Sequence, residues 1–192
     1  KQLYEAGVPI SIGYGMTECA PLVSYAPWNE TKPGACGKLC NYMEARVNSK
    51  DPENIAGELW LKGPNVMQGY FKNEEATEAV MDGEWMNTGD LALIDSDGFI
   101  YIKGRSKNMI LGPSGQNIYP EEIEDQLNNM PYVSESIVIE QDGKLVWLVY
   151  PDFENGEKAG ISQKNMEAQM EENRVNANKL LPAYSQIAKI KV

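Results

Sequence analysis

The sequence predicts a mixed α/β (α+β) protein whose first part is rich in strands and whose smaller second part is an α/β domain. Up to about Arg105, short alternating apolar segments such as GELWLKG, VMQGYF and LALIDSDGFIYIKG, separated by glycine and proline, are typical of strands and hairpins. Beyond Arg105, strands alternate with helical patterns, as in a small α/β sandwich. We expect the boundary within residues 103–108 and assign the two domains to residues 1–105 and 106–192.

Local signals place the elements of the second part. Pro120 is expected to open a helix, because acidic residues fill the first turn and Ile123, Leu127 and Met130 recur on one face. Two strands, SESIVIE and KLVWLVY, follow and are joined by Asp142-Gly143, a pair typical of hairpin turns. A polar helix at residues 162–181 and a final strand near residue 187 complete this part.

A second Asp-Gly pair, Asp97-Gly98, lies between LALI and FIYI and predicts a hairpin in the first part. Asp95 and Asp97 also resemble the start of a calcium-binding loop, but the glutamate that would close such a loop is missing. The hairpin interpretation is therefore favoured.

Composition and charge exclude several classes of function. The 192 residues include 42% hydrophobic side chains, enough for a core, and carry a formal charge of −11, which argues against a nucleic-acid surface. The absence of histidine removes Ser-His and Cys-His nucleophilic pairs. No apolar run approaches the roughly 20 residues of a transmembrane helix. Three cysteines without a secreted context predict reduced thiols and a cytoplasmic location.

The segment VPISIGYG, residues 8–15, predicts a buried strand, which we expect to end at Ile12, just before the motif GYGMTE, residues 13–18. Its two glycines suit a tight turn. The ring of Tyr14 can stack on a base, the hydroxyl of Thr17 can donate to a phosphate oxygen, and the carboxylate of Glu18 can hold Mg²⁺. The same residues could equally form a helix cap.

Two further segments offer polar groups next to glycine. In NTGDL, Asp90 follows a glycine at the expected entrance to a strand, where its carboxylate can accept hydrogen bonds from a ribose diol. In YIKGRSKNMI, Arg105 can reach an anion or a pair of hydroxyls, and Lys107 lies at the expected domain boundary, where a change of backbone angles would move the second domain. The alternatives are an ordinary turn aspartate and a solvated basic turn.

Taken together, these segments resemble the adenylate-forming (AMP-binding) enzyme superfamily, which includes acyl-CoA synthetases, luciferases and the adenylation domains of peptide synthetases. The segments GYGMTE, GELWLKGPNVMQGYFKNEEAT, MNTGDL, DGFIYIKGRSKNMI, GQNIYPEEIE and LPAYSQIAKIKV occur in the family's order and cover nearly the whole chain. The resemblance implies the C-terminal, β-rich part of a large adenylation domain, followed by a small α/β lid domain. ATP or AMP, Mg²⁺ and coenzyme A are the implied cofactors.

The resemblance also implies roles in nucleotide binding for the first motif. Tyr14 would stack on adenine, with Gly15 beside it. Thr17 would contact the α-phosphate, and Glu18 would coordinate Mg²⁺. Thr17 and Glu18 are therefore expected to act in catalysis as well as in binding.

The remaining matched residues complete the implied site. Asp90 and Arg105 would bind the ribose hydroxyls, and Ile102 would lie beside the nucleotide. Lys107 matches the catalytic hinge about which the small domain turns.

In the loop GPSGQNIYPEEIE, Gly115 and Asn117 would line the tunnel for the pantetheine arm of CoA. The family's phosphate loop is expected before Lys1, and its adenylation lysine after Val192, so the chain alone is expected to be inactive.

The lysine at position 107 and the segment GQNIYPEEIE are similar to bacterial long-chain fatty acyl-CoA synthetases, so a fatty acid is the expected substrate beside ATP and CoA. Three alternatives within the superfamily stay open: an aryl, a short- or medium-chain, and an acyl-carrier-protein ligase. A non-catalytic nucleotide-binding or interaction module is an alternative of a different class. Acyl chain length, oligomeric state and contact with a membrane surface are left open by the sequence.

Overall fold

The computed structural model describes residues 2–113 and 115–192. The chain divides into two compact units, one that extends to Lys107 and one that begins at Asn108. Within the described ranges, no helix combines the length and the apolar character needed to cross a membrane.

The first unit is built mainly from antiparallel strands. Its elements in chain order are α1 (Gln2–Glu5), β1 (Ile12–Gly15), β2 (Leu22–Ala26), β3 (Lys38–Leu39), β4 (Glu44–Asn48), β5 (Gly57–Lys62), α2 (Glu74–Glu78), β6 (Met81–Asp82), β7 (Trp85–Ile94) and β8 (Ile100–Arg105). Strands β1, β2 and β3 form one sheet, and β4, β5, β7 and β6 form a second in that order, with β8 also paired to β7.

Alternating burial explains why the second sheet forms. In β5 the apolar side chains of Leu59 and Leu61 are fully buried, while the intervening residues are half-buried. These leucines pack with Met86 of β7, Ile100 of β8 and Val23 of β2 in one apolar cluster. A side-chain period of two residues therefore directs one face of the sheet into a core.

The hairpin predicted at Asp97-Gly98 is confirmed: it joins β7 to β8, and Gly98 has the left-handed φ of 82° that such a turn needs. The Asp95 carboxylate accepts hydrogen bonds from the backbone N–H groups of Asp97 and Phe99 and from Lys32 Nζ at 2.9 Å. Although its burial raises the pKa of Asp95, the bonds from Lys32 and Phe99 outweigh that effect and lower the pKa to about 2. The turn is therefore held by the ion pair between Lys32 and Asp95 and by the backbone hydrogen bonds to the Asp95 carboxylate.

The second unit follows the predicted alternation of strands and helices. Its elements are β9 (Ile110–Leu111), β10 (Asn117–Ile118), α3 (Pro120–Asn128), β11 (Val133–Gln141), β12 (Lys144–Pro151), α4 (Phe153–Lys158), α5 (Gln163–Asn178) and β13 (Ile187–Lys191). Strand β12 pairs antiparallel with β11 and parallel with β13, so it is the central strand of this sheet.

The local predictions for this unit are confirmed, except that Met130 lies beyond the end of α3 at Asn128, although it packs against the same core. Helix α3 begins at Pro120 and buries Ile123 and Leu127, which pack against the fully buried Trp147 of β12 in one core. Asp142-Gly143 joins β11 to β12, and both residues have positive φ. The polar helix is α5, which ends three residues earlier than the predicted 181.

Two predictions for the first unit are wrong. The segment VPISIGYG is not a buried strand, because only Ile12–Gly15 is extended in a sheet and Val8 and Ile12 are exposed. The segment VMQGYF, residues 66–71, is irregular. Gly69 has a φ of 151° and packs against the Thr77 side chain, so this segment is shaped by contact with α2 rather than by strand pairing.

Candidate functional site

The glycines of GYGMTE serve close strand packing rather than a turn. The strand begins at Ile12 instead of ending there, and neither Gly13 nor Gly15 has a positive φ. A Cβ atom on Gly15 would lie 2.1 Å from the Pro21 carbonyl oxygen, and one on Gly13 would lie 2.8 Å from the Ser24 carbonyl oxygen. Any larger residue would push β1 away from β2, so the glycines fix the position of the residue between them.

The motif NTGDL forms a bulge in the middle of a long strand, which corrects the prediction that Asp90 enters a strand. Glu58 of β5 pairs with Leu91 of β7 and Trp60 pairs with Asn87, so β7 contains extra residues opposite β5. Gly89 takes the left-handed φ of 72° inside this bulge.

Side chains of the same motif hold the bulge. The side-chain oxygen of Asn87 accepts a hydrogen bond from the Gly89 N–H at 2.9 Å. The Thr88 hydroxyl accepts from the Asp90 N–H at 3.0 Å and donates to the Leu59 carbonyl at 2.9 Å. Asn87, Thr88 and Gly89 therefore each help to fix the backbone that carries the Asp90 carboxylate.

Three of the predicted nucleotide-binding residues meet at this carboxylate. The Tyr14 hydroxyl donates a hydrogen bond to Oδ2 of Asp90 across 76 positions of sequence. Arg105 Nη1 lies 2.6 Å from Oδ1 of Asp90, and the two residues are direct partners in the β7–β8 register. Asp90 is only 6% exposed, so its charge is balanced by a guanidinium and a phenol instead of by water.

The surroundings of Asp90 raise the pKa values of its two partners. Burial, together with the hydrogen bond to Asp90, raises the pKa of Tyr14 above its ordinary range, so the phenol stays neutral and remains a donor. The hydrogen bond to Asp90 likewise raises the pKa of Arg105. Each carboxylate oxygen has two lone pairs, so Asp90 can accept further hydrogen bonds, such as those from a diol.

Glu18 lies beside this cluster, in a short 3-10 helix at Thr17–Cys19. Its negative charge acts on Arg105, whose pKa it raises further. Its Oε1 accepts a hydrogen bond of 2.8 Å from the Tyr70 hydroxyl, and this bond is the main cause of a raised pKa for Tyr70. Thr17 is exposed at the start of the same helix.

Tyr70 is the residue of this site that the sequence reasoning missed. It was included in a predicted strand, and it contacts Glu18 across 52 positions of sequence, so no local pattern indicates the contact.

The donor set fits Mg²⁺ held together with phosphates rather than a dedicated metal site. Within residues 2–113 and 115–192, no group of three or more Asp, Glu, Cys or His side chains could hold a metal. Mg²⁺ at nucleotide sites usually takes one or two carboxylates and completes its shell with phosphate oxygens and water. Glu18 supplies one such carboxylate, and the residue before it, Thr17, supplies a hydroxyl.

Cys19 follows Glu18 directly, yet it is not a nucleophile. Its side chain is fully buried, and this burial, with a smaller contribution from Glu18, raises the pKa of the thiol to about 11. The reactive thiolate is therefore scarce near neutral pH.

Two other predicted site residues of the first unit lie outside the hydrogen-bonded cluster. Ile102 of β8 is half-buried and packs against the apolar core that also contacts Tyr14. Lys107 is exposed in a turn and is the last residue of the first unit.

The second unit contains the predicted loop residues. Gly115 has a φ of 82° and Asn117 begins β10, and both are exposed. A cavity of about 560 Å³ in this unit is lined by Gly112 and Gln116 of the same loop, with Lys144 and Tyr184 from other elements.

The oxygen of the Gln116 side chain, Oε1, is buried without a hydrogen-bond partner. Gly115 and Asn117, the two predicted loop residues, do not line the cavity of about 560 Å³.

Comparison with known proteins identifies relatives over part of the chain. Residues 1–71 match the family model described as AMP-binding enzyme. A long-chain-fatty-acid–CoA ligase of Escherichia coli O6:H1 is 44% identical over 128 residues, which are 64% of this chain and 23% of that protein. A 2-succinylbenzoate–CoA ligase of Bacillus cytotoxicus is 40% identical over 149 residues, 72% of this chain and 31% of that protein. The chain thus spans about a quarter to a third of these relatives.

Solved structures extend the likeness to nearly the whole chain. The o-succinylbenzoate coenzyme A synthetase of Bacillus subtilis in complex with AMP matches with a TM-score of 0.75 and 29% identity, over 98% of this chain and 38% of that one. The same enzyme with ATP and magnesium ion matches with a TM-score of 0.73. An anthranilate CoA ligase with anthranoyl-AMP matches with a TM-score of 0.76 at 26% identity, over 98% of this chain and 36% of that one.

The predicted fold class is confirmed, since the chain has the fold of the C-terminal part of adenylate-forming enzymes. The family model and the structural neighbours together support placing this chain in the AMP-binding enzyme superfamily.

Proposed function

We propose that the protein containing this chain is an AMP-forming ligase that activates a carboxylic acid with ATP and transfers the acyl group to CoA. One observation carries the proposal: residues from three separated motifs, Tyr14, Asp90 and Arg105, meet at one buried carboxylate beside Glu18. The relatives and structural neighbours named above include CoA ligases, some of them in complex with AMP or with ATP and magnesium ion.

In the first half-reaction, an oxygen of the substrate carboxylate attacks the α-phosphorus of ATP. A new P–O bond to the acyl oxygen forms, the bond to pyrophosphate breaks, and acyl-adenylate and pyrophosphate result. The chain contributes alignment, which accounts for much of the rate in such reactions. Tyr14 stacks on the adenine, and Asp90 accepts hydrogen bonds from the ribose hydroxyls while Arg105 holds it in place.

The phosphate end of the nucleotide is assigned to the short helix after β1. Thr17 donates a hydrogen bond to the α-phosphate, and Glu18 would hold Mg²⁺ together with phosphate oxygens. When bound, Mg²⁺ neutralises charge on the phosphates. Gly15 allows β1 to approach β2 closely, and it thereby aligns Thr17 and Glu18 with Tyr14. Ile102 packs against the same core as Tyr14, and it would support the nucleotide from its apolar side.

In the second half-reaction, the thiol of CoA attacks the acyl carbonyl. The C–S bond forms, the thiol proton is lost and AMP leaves. We assign Gly115 and Asn117 to the passage for the pantetheine arm and Lys107 to the hinge between the two half-reactions. The exposed, left-handed Gly115 and the position of Lys107 at the end of the first unit support these assignments.

For the acid we propose a long-chain fatty acid, because the E. coli relative, a long-chain-fatty-acid–CoA ligase, is 44% identical. We propose that the reaction takes place in the cytoplasm. The second candidate is an aryl acid of the 2-succinylbenzoate class. It is favoured by the 40% identical relative from Bacillus cytotoxicus and by the B. subtilis structures.

ATP–pyrophosphate exchange tests both the reaction and the acid. With the protein containing this chain, we expect exchange that depends on a long-chain fatty acid, and a panel including 2-succinylbenzoate, short acids and amino acids identifies the substrate class. Exchange driven by 2-succinylbenzoate alone would select the second candidate, and no exchange with any acid would refute the reaction. Asp90→Ala should lower exchange at least ~10-fold, the equivalent of about 1.4 kcal/mol.

A further inference from the structure

The segment at residues 65–70 is attached to the chain around Glu18 at several points. The backbone N–H of Met67 donates to the Glu18 carbonyl at 2.7 Å. The side-chain nitrogen of Asn65 donates to the Cys19 carbonyl at 2.6 Å. The Tyr70 hydroxyl adds a third bond, 2.8 Å long, to Glu18 Oε1. Backbone and side chain of Glu18 are therefore both held by one segment.

The backbone of Tyr70 is itself fixed by α2. Its N–H donates to the Thr77 hydroxyl at 2.9 Å, and that hydroxyl donates to the Asn73 carbonyl at 2.9 Å. The Asn73 side chain caps the helix by accepting from the Ala76 N–H at 3.0 Å. A Cβ on Gly69 would lie 2.8 Å from the Thr77 side chain, so the chain passes close against α2 just before Tyr70.

This chain of contacts gives the phenol a defined position relative to one oxygen of a carboxylate. A carboxylate that accepts a hydrogen bond through Oε1 cannot rotate freely, and its other oxygen, Oε2, is then presented in a fixed direction. Hydrogen bonds of this kind orient metal ligands, and removing them lowers metal affinity about 10–100-fold in known metal sites.

We propose that Tyr70 is a positioning residue that holds the Glu18 carboxylate through Oε1, so that Oε2 is directed at the nucleotide-bound divalent cation. The proposal rests on the proposed function, which assigns Glu18 to that cation. It adds a residue of the segment GELWLKGPNVMQGYFKNEEAT, to which the proposed function assigns no role. A purely structural alternative is that the Tyr70 hydroxyl only joins two surface segments, since Tyr70 is 38% exposed.

The test measures metal binding directly, with Mn²⁺ as the probe. Mn²⁺ is titrated into the protein containing this chain, saturated with α,β-methylene-ATP, and free Mn²⁺ is followed by electron paramagnetic resonance. Tyr70→Phe keeps the ring and removes the hydroxyl, and we expect it to weaken Mn²⁺ binding by roughly 10-fold. The affinity for the nucleotide in the presence of EDTA should not change.

Tyr25→Phe is the matched control, because the Tyr25 hydroxyl also makes an exposed side-chain hydrogen bond in the first unit, 3.3 Å from Ser11 Oγ. It should leave Mn²⁺ affinity unchanged. In a Glu18→Gln background, Tyr70→Phe should have no further effect on Mn²⁺ affinity, because Tyr70 acts through Glu18. Thr77→Val, which removes the acceptor of the Tyr70 N–H, should weaken Mn²⁺ binding in the same direction.

Each outcome decides between the proposals. If Glu18→Gln weakens Mn²⁺ binding and Tyr70→Phe does not, Tyr70 has no positioning role and the proposed function stands. If Tyr70→Phe and Tyr25→Phe lower Mn²⁺ affinity equally, the effect is a general one and the proposal is wrong. If the protein binds no nucleotide, the proposed function fails and the role of Tyr70 fails with it.

Discussion

Replacing Thr88 by valine tests whether the bulge in β7 orients Asp90. Valine has nearly the same shape but no hydroxyl, so the Asp90 N–H and the Leu59 carbonyl lose their partner, at 3.0 and 2.9 Å. Thr88 and Leu59 are buried, which keeps water from replacing the hydroxyl.

The magnitude follows from the two lost bonds. Each buried group left without a partner costs about 1–3 kcal/mol, and the added methyl group regains about 0.8 kcal/mol. We therefore expect Thr88→Val to lower the free energy of unfolding by about 1–5 kcal/mol. AMP affinity should fall as well, because the backbone that carries the Asp90 carboxylate is released.

Urea unfolding, followed by circular dichroism, and calorimetric titration with AMP measure the two effects. Thr88→Ser is the control, since it keeps the hydroxyl and removes only a methyl group, worth about 0.8 kcal/mol. If the valine and serine variants unfold at the same urea concentration and bind AMP equally well, the Thr88 hydroxyl does not orient Asp90.

Three further changes test separate parts of the account. The lowered pKa of Asp95, about 2 against a usual 3.8, stabilises the fold above pH 3.8, and this stabilisation is lost as the pH falls through 2. Asp95→Asn should therefore flatten the pH dependence of the free energy of unfolding in urea in that window. An unchanged profile would show that the bond between Lys32 and Asp95 does not stabilise the fold. Gly15→Ala places a Cβ 2.1 Å from the Pro21 carbonyl oxygen and should lower the unfolding midpoint and AMP affinity together, whereas normal values for both would contradict the close packing. Lys107→Pro should slow thioester formation more than ATP–pyrophosphate exchange, and equal losses would argue against a hinge.

Local signals in the sequence were enough for the turns and for one helix. Asp97-Gly98 and Asp142-Gly143 each join two strands, and Pro120 opens α3, because turn and capping chemistry depends on neighbouring residues alone. These features could be predicted without knowing which elements pair.

The finer structure of the site depends on contacts between distant residues. The bulge at Gly89 arises from the register between β5 and β7, and the place of Tyr70 arises from contacts with α2 and with Glu18. Neither register nor long-range contact has a local sequence signal, so the local pattern predicts a strand entrance at NTGDL and a strand at VMQGYF.

The central claim is that the Asp90 carboxylate binds the ribose hydroxyls of a nucleotide. The most direct measurement compares the affinities of AMP and 2′,3′-dideoxy-AMP by calorimetry, for the wild type and for Asp90→Ala. The wild type should prefer AMP by at least ~10-fold, or about 1.4 kcal/mol, and Asp90→Ala should no longer distinguish the two nucleotides. An Asp90→Ala variant that keeps the full preference for AMP would contradict this claim.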